Sequence, residues 1–269
     1  MRKIKNVSTY VILSIVSLIS VFPLYWMISA ATNNSTDILG GRLIFGTNLM
    51  NNLTNLLEQQ NVGRAFGNSL MFSTILSVLS LVVCSIAGYG FEIYHDRAKD
   101  RLMGILLLAM MVPFAATLIP LFKMFTDLNL QSTWIAYVLP TISTPFLIML
   151  FRQSARSFPK DIIEAARIDG LSEIRIFATI FVPTMKSTYA AAMTVTFMNA
   201  WNNYLWPKVI MMSEKSQTMP MLVTNLSVGY SIDYGVLMLG VLICSLPTGI
   251  LFLVLQKSFA NGIVGAVKG

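Results

Sequence analysis

The stretch Pro159–Lys186, PKDIIEAARIDGLSEIRIFATIFVPTMK, decides how the rest of the chain is read. It is the longest charged interval in a chain with only 12% charged residues, and apolar runs flank it on both sides. Such a segment belongs at a membrane surface, because ionised side chains are costly in hydrocarbon. Its local grammar is helix, turn, helix. Pro159 suits a first helical position and Asp161 complements the positive end of a helix. Asp169-Gly170 reads as a stop, with glycine supplying the left-handed residue. Ser172 is placed to cap a second helix through its hydroxyl. Ile174, Phe177, Ala178 and Phe181 then recur at helical spacing, and Pro183 is expected to end the surface segment. Glu164 taken alone is an ordinary solvated helix residue, pairing with Lys160 or Arg167 for about 0.2–0.5 kcal/mol.

Outward from this stretch the chain is apolar. Of 269 residues, 55% are hydrophobic, and the mean hydropathy is +0.68. A soluble core needs no such excess, so the fold class read here is all-α and polytopic in a membrane. Six transmembrane helices are expected, at about 7–31, 66–91, 102–122, 134–151, 187–206 and 236–256, in one domain over 1–269. The first run follows Arg2, Lys3 and Lys5 and ends in Ser29-Ala30-Ala31, as a cleaved leader would. It is too long for a leader's apolar core of about 7–15 residues, which favours a retained span. Residues 32–64 form a polar loop with a short surface helix near Leu53–Gln60. Small residues in Ala87-Gly88-Tyr89-Gly90-Phe91 permit close helix packing.

Pro113 and Pro120 fall in the third run, and Pro140 and Pro145 in the fourth. Either the helices merely kink there, or they break to line a cavity. In the fifth run Thr188, Ala192, Thr196, Asn199 and Asn203 share one helical face, which is either interhelical glue or the wall of an aqueous path. Trp201, Tyr204 and Trp206 are expected at the membrane boundary as an aromatic belt.

With the N-terminus in the cytoplasm, 14 of the 19 lysines and arginines fall on inner segments. That asymmetry sets both termini and 159–186 inside, and it accounts for the net charge of +7 without nucleic acid. No Lys, Arg, Asp or Glu lies inside an expected span, which argues against a proton- or sodium-driven carrier working alone and against a voltage sensor. The phosphate loop G-x-x-x-x-G-K-[ST] is missing, so the chain carries no such ATPase of its own. Cys84 and Cys244 both sit in apolar runs, so no disulfide framework or metal site is read, and with His95 the only histidine most acid–base catalysis is set aside.

Glu164-Ala165-Ala166, Asp169-Gly170, Phe177, Ile180 and Val182-Pro183 together resemble the EAA motif of binding-protein-dependent ABC importer permeases. Leu171, Val182 and Ser187 depart from that pattern. Asn68-Ser69-Leu70, Ala87–Phe91, Trp201–Pro207 and Gly262–Gly269 look like maltose-type carbohydrate permeases, in particular the smaller, six-span subunit.

The resemblance implies an ABC type I importer transmembrane domain, with a cytoplasmic coupling helix between spans 4 and 5. It implies a second permease subunit, two copies of a cytosolic ATPase that hold ATP and magnesium, and an extracytoplasmic sugar-binding protein. The setting is a bacterial cytoplasmic membrane and the cargo a sugar, with glycerol-phosphate or amino acids as the alternative. The resemblance assigns ATPase coupling to Glu164, Ala165, Ala166, Asp169, Gly170 and Phe177. Thr196, Asn199, Asn202, Asn203 and Tyr204 are candidates for the substrate path. Glu214, Lys215 and Asp233, in an outer loop over 207–235, would meet the binding protein, and the tail would reach between the ATPases.

Overall fold

The computed structural model describes the backbone of residues 2–267 and the side chains of residues 9–256. It is helical nearly throughout. In chain order the helices are α1 (Arg2–Ala31), α2 (Ser35–Leu39), α3 (Leu49–Gln59), α4 (Val62–Ile93), α5 (Arg97–Ala109), α6 (Phe114–Asp127), α7 (Trp134–Val138), α8 (Pro145–Arg156), α9 (Lys160–Ile168), α10 (Glu173–Ile176), α11 (Val182–Thr184), α12 (Lys186–Trp201), α13 (Leu205–Ile210), α14 (Met219–Leu226) and α15 (Tyr234–Val267).

Among the described residues, three stretches are uninterrupted, long and apolar enough to cross a membrane: Thr9–Ala31, Val62–Ile93 and Tyr234–Gln256. The expected third and fourth spans are not single helices. α5 and α6 meet at 96°, and Trp134–Thr141 meets α8 at 55°. Proline is the cause in both. Pro113 has φ −62° and ψ 133°, an extended conformation that stops one helix and starts the next. In the other pair Pro140 sits in a short 3₁₀ turn and Pro145 begins α8 behind the cap residue Thr144. Each bent pair counts as at most one crossing. α12, in the expected fifth span, has 16 residues and so extends about 24 Å.

The chain forms two compact units. The first comprises Met1–Phe66 and Met219–Leu246. Buried amides stand in it beside buried apolar side chains such as Leu56, Met219, Leu222 and Val236. Asn52, 2% exposed, donates from Nδ2 to the carbonyls of Ala31 and Asn33, each at 2.9 Å. Asn33 in turn donates to the Ser29 and Ile44 carbonyls, also at 2.9 Å. A side chain at Gly235 would lie 2.6 Å from the Asn33 carbonyl and 2.7 Å from Asn52 Nδ2, so only glycine lets α15 start there. The surface helix expected near residues 53–60 is α3, which buries Asn52 and Leu56.

The second unit comprises Gly67–Thr218 and Pro247–Gly269. In it, α4 and α8 approach closely at Gly88, where a Cβ would lie 2.6 Å from Phe151 Cβ and 2.7 Å from the Arg152 nitrogen. Gly90 faces open space, so only one glycine of the small-residue cluster is needed for that contact. Trp201 and Trp206 are fully buried, which corrects the aromatic-belt reading for both. Trp206 Nε1 donates to the Ala136 carbonyl at 2.8 Å, and its ring meets Phe114 and Phe125 edge-on. A tryptophan suits an interface or a core that offers its N–H an acceptor, and here the core offers one.

Candidate functional site

The surface segment begins with α9, nine residues and about 14 Å long. Pro159 is its cap residue rather than its first helical residue. Its end is a Schellman motif. Gly170 takes φ +79°, its N–H bonds the Arg167 carbonyl, and the Leu171 N–H bonds the Ala166 carbonyl, both at 3.0 Å. Ser172 occupies the cap position of α10, but its side chain makes no capping bond there, contrary to the sequence reading.

The inner face of this hairpin is locked. Ile163 and Ala166 pack with Tyr89, Ala155, Phe158, Ile176 and Phe181. The Tyr89 ring lies edge-on to Phe177 at 5.3 Å and to Phe181 at 4.9 Å, and Phe158 tilts against Phe181 at 5.7 Å. The sequence spacing placed Ile174 and Ala178 on the packed face, yet Ile174 is 82% exposed and Ala178 is exposed as well. The reason is a π turn over Phe177–Phe181, closed by the Val182 N–H on the Phe177 carbonyl. Widening the helix to five residues per bond brings Ile176 and Phe181 together and turns Ile174 out. Pro183 does not end the segment. It falls in α11 directly after the π turn, and Thr184 Oγ1 donates to the Ile180 carbonyl at 2.7 Å.

The outer face of α9 is uncovered. Ile162 is 44% and Ile168 87% exposed, and Glu164, Ala165 and Asp169 are exposed between them. Glu164 makes no ion pair among the described residues, because Arg167 turns away to Glu173. Arg167 Nε donates to Glu173 Oε1 at 2.6 Å, and its guanidinium lies 5.8 Å over the Tyr94 ring. The Arg167 hydrogen bond, then that of the Tyr94 hydroxyl, hold the Glu173 carboxyl below its usual range. The same pair raises Arg167. A second charged cluster joins the ends of α4, α5 and α8. Arg152 meets Glu92 at 3.4 Å and Asp100 at 2.5 Å, and His95 Nε2 lies 2.9 Å from Asp100 Oδ2. The sequence reading left Glu92 and Arg152 in connectors. Both lie inside helices, with side chains only 8% and 13% exposed.

Of the five path candidates, Thr196, Asn199 and Asn203 line a cavity of about 180 Å³, together with Thr141, Thr144, Leu76 and Phe146. Asn202 and Tyr204 are not among its lining residues. The cavity opens where the α7–α8 pair is broken, and the Thr141 hydroxyl is buried without a partner. No ionisable side chain lines it. The polar face of α12 therefore divides. Thr188 donates to Ser154 Oγ at 3.1 Å and serves as glue, whereas Asn199 and Asn203 face the cavity.

The segment 207–235 is not an open loop, since it contains α13, a 3₁₀ turn over Glu214–Ser216, and α14. Glu214 and Lys215 are exposed on that turn, which Asn68 holds by donating to the carbonyls of Lys215 and Gln217 at 2.8 and 2.9 Å. In the other unit Asp233 Oδ1 accepts from the N–H groups of Gly235 and Val236 and from Ser35 Oγ, so it caps α15. Sequence reasoning passed over the exposed tip Val228-Gly229-Tyr230, whose one signal was a glycine, now at φ +151°. The role expected for the tail falls mostly on 257–269, whose side chains lie outside the described residues.

The chain is 40% identical over 267 residues to the lactose transport system permease protein LacG of Rhizobium radiobacter, covering 99% of this chain and 98% of that one. It is 35% identical over 260 residues to the arabinooligosaccharides transport system permease protein AraQ of Halalkalibacterium halodurans, covering 94% and 93%. Its fold matches a chain in the crystal structure of a bacterial ABC transporter involved in the import of the acidic polysaccharide alginate, with TM-score 0.84 and 20% identity over 96% of this chain and 97% of that one. Residues 90–264 match the inner membrane component of binding-protein-dependent transport systems. With α9 presenting the EAA residues on a short braced helix within that region, the chain belongs to this family of multi-pass membrane permeases.

Proposed function

We propose that this chain is one of two permease subunits of an importer for neutral sugars or oligosaccharides, worked through α9 by ATP hydrolysis on two separate cytosolic ATPase subunits. One observation carries the coupling role: α9 is braced on its inner face by the Tyr89–Phe158–Phe181 aromatic packing while Ile162, Ala165 and Ile168 stand uncovered. A rigid lever with a free apolar ridge suits insertion into a groove on another protein. Glu164, unpaired, sets the orientation, and Asp169-Gly170 returns the chain. Phe177 acts from behind, against Tyr89.

Neutral cargo is supported by the uncharged cavity at Thr141, Thr196, Asn199 and Asn203, whose amides and hydroxyls both donate and accept. The names of the lactose and arabinooligosaccharide relatives point the same way. Asn202 and Tyr204 stand outside the cavity wall and take a lesser part in this reading. In this reading the chain crosses six times, with the two bent pairs and α12 counted as one each, and forms a single permease domain over 1–269; the Lys and Arg asymmetry is what supports both termini and α9 lying in the bacterial cytoplasm. The sugar-binding protein then docks outside, on a surface that includes Glu214 and Lys215, whereas Asp233 is engaged in capping α15 and takes no part in it in this reading. ATP-driven closure of the ATPase pair pulls on α9 and switches the cavity between inward and outward access, a shift that requires ATP to favour the closed state.

The test is uptake of lactose and an arabinotriose into proteoliposomes holding the full transporter. Glu164→Lys is expected to abolish ATP-dependent uptake while leaving the chain inserted and the complex assembled. Normal uptake by that variant contradicts the docking role, and sugar flux through this chain alone supports a stand-alone carrier or channel instead.

A further inference from the structure

We propose that the first unit carries a second carbohydrate site, a groove of about 550 Å³ walled by Asn34, Asn48, Asn51, Asn52, Asn55 and Asp233 with three hydroxyl side chains. The proposal rests on the sugar-import reading for its cargo class and for its outward-facing position. The groove is large enough for a small oligosaccharide, within the range of about 300–1,000 Å³ usual for ligand pockets.

Its chemistry is selective. Every lining side chain is polar, and none is cationic, so neither an anionic headgroup nor an apolar ligand finds complementarity there. Asp233 is the only carboxylate, and its Oδ1 is already committed to Ser35 and to the N–H groups of Gly235 and Val236. That is too little for a calcium ion, which takes about 6–8 oxygens with several from carboxylates. Amides offer paired donors and acceptors, and hydroxyls act as both, which matches a ligand made of neutral hydroxyl groups.

The groove is also built. Asn52, at its base, is buried and fixed by two 2.9 Å bonds to the Ala31 and Asn33 carbonyls. Asn34 Oδ1 caps α2 by accepting the Asp37 N–H at 2.8 Å. Above this frame the side chains of Thr36 and Asn55 are exposed and make no hydrogen bond among the described residues. Donors and acceptors without internal work, over a rigid floor, are what a hydrogen-bonding ligand needs. No aromatic ring lines the groove, so binding is weak and exchange fast, as suits a waiting site for released sugar rather than a trap.

The experiment is saturation-transfer NMR on the complete transporter in nanodiscs, without binding protein, using lactose and an arabinotriose as probes. The double variant Asn51→Leu, Asn55→Leu and, separately, Thr36→Trp are expected to cut the transfer signal at least fivefold. Binding-protein-stimulated ATPase activity should stay unchanged in both. An unchanged sugar signal in both variants, or no signal from the parent, overturns the proposal. Loss of ATPase stimulation with the sugar signal intact overturns it too, and makes the groove a docking surface for the binding protein. Uptake by the parent transporter is read in parallel: failure to import any sugar rejects the import reading, whereas failure of the groove variants alone rejects only this site.

Discussion

Arg167 and Glu173 close the hairpin of the surface segment, one at the end of α9 and one at the start of α10, with Nε and Oε1 2.6 Å apart. The pair draws Arg167 away from Glu164 and leaves that carboxylate free on the outer face of α9. Both side chains are about 40% exposed, so the ion pair itself contributes little, about 0.2–1 kcal/mol. Its use is to hold a direction.

The Glu173 carboxyl titrates below its ordinary range because Arg167 and Tyr94 favour its charged form. A depressed carboxylate stabilises the fold above the unfolded-state value, near 4.3, and loses that contribution as pH falls through the lower folded-state value. Glu173→Gln should therefore speed amide exchange over 160–176 at pH 7, with the gap to the parent closing in acid. Hydrogen exchange of the two proteins at pH 7 and pH 4 measures this. An equal gap at both values would count against the assignment.

Gly88→Ala should destabilise the α4–α8 contact by about 1–3 kcal/mol, because the added carbon meets backbone atoms that cannot rotate away. Gly90→Ala, with open space at the same helix end, should be neutral within about 0.5 kcal/mol. Thermal unfolding of both variants in one detergent separates them.

Arg152→Ala leaves Glu92 buried without its cation and should cost about 3 kcal/mol or more. Adding Glu92→Gln should restore most of that loss, since an unpaired buried charge costs more than an absent pair. The double-mutant cycle in thermal stability tests it. If the second change adds to the first, Glu92 draws nothing from Arg152.

Much of the surface segment is legible in the sequence, because its signals are local. A glycine after Asp169 predicts a left-handed stop whatever surrounds it, and Gly170 is one. The long apolar runs at the two ends and over α4 likewise declare themselves by length. Prolines 113, 140 and 145 signalled interruption, but not that one break would turn the chain by 96° and the other by 55°. The packed face of α10 and the π turn was not legible. A helical period of 3.6 selects Ile174 and Ala178 alongside Phe177 and Phe181, and only the wider turn exchanges the first two for Ile176. Trp206 was ambiguous for another reason, since its ring suits a boundary or a core, and the Ala136 carbonyl decides between them. In the path, the alternation of threonine and asparagine along α12 pointed to a polar face. It could not separate the residue that glues, Thr188, from those that meet the cavity, Asn199 and Asn203.

The claim on which the account rests is that the outer face of α9 is cytoplasmic and covered by the ATPase. Place a single cysteine at Ile168, in a background carrying Cys244→Ala with Cys84 left buried, and treat intact cells and inverted vesicles with a membrane-impermeant maleimide. The account predicts no labelling in intact cells, rapid labelling in inverted vesicles stripped of the ATPase, and at least tenfold slower labelling once the ATPase is restored. Labelling in intact cells, or an equal rate with and without the ATPase, would contradict it.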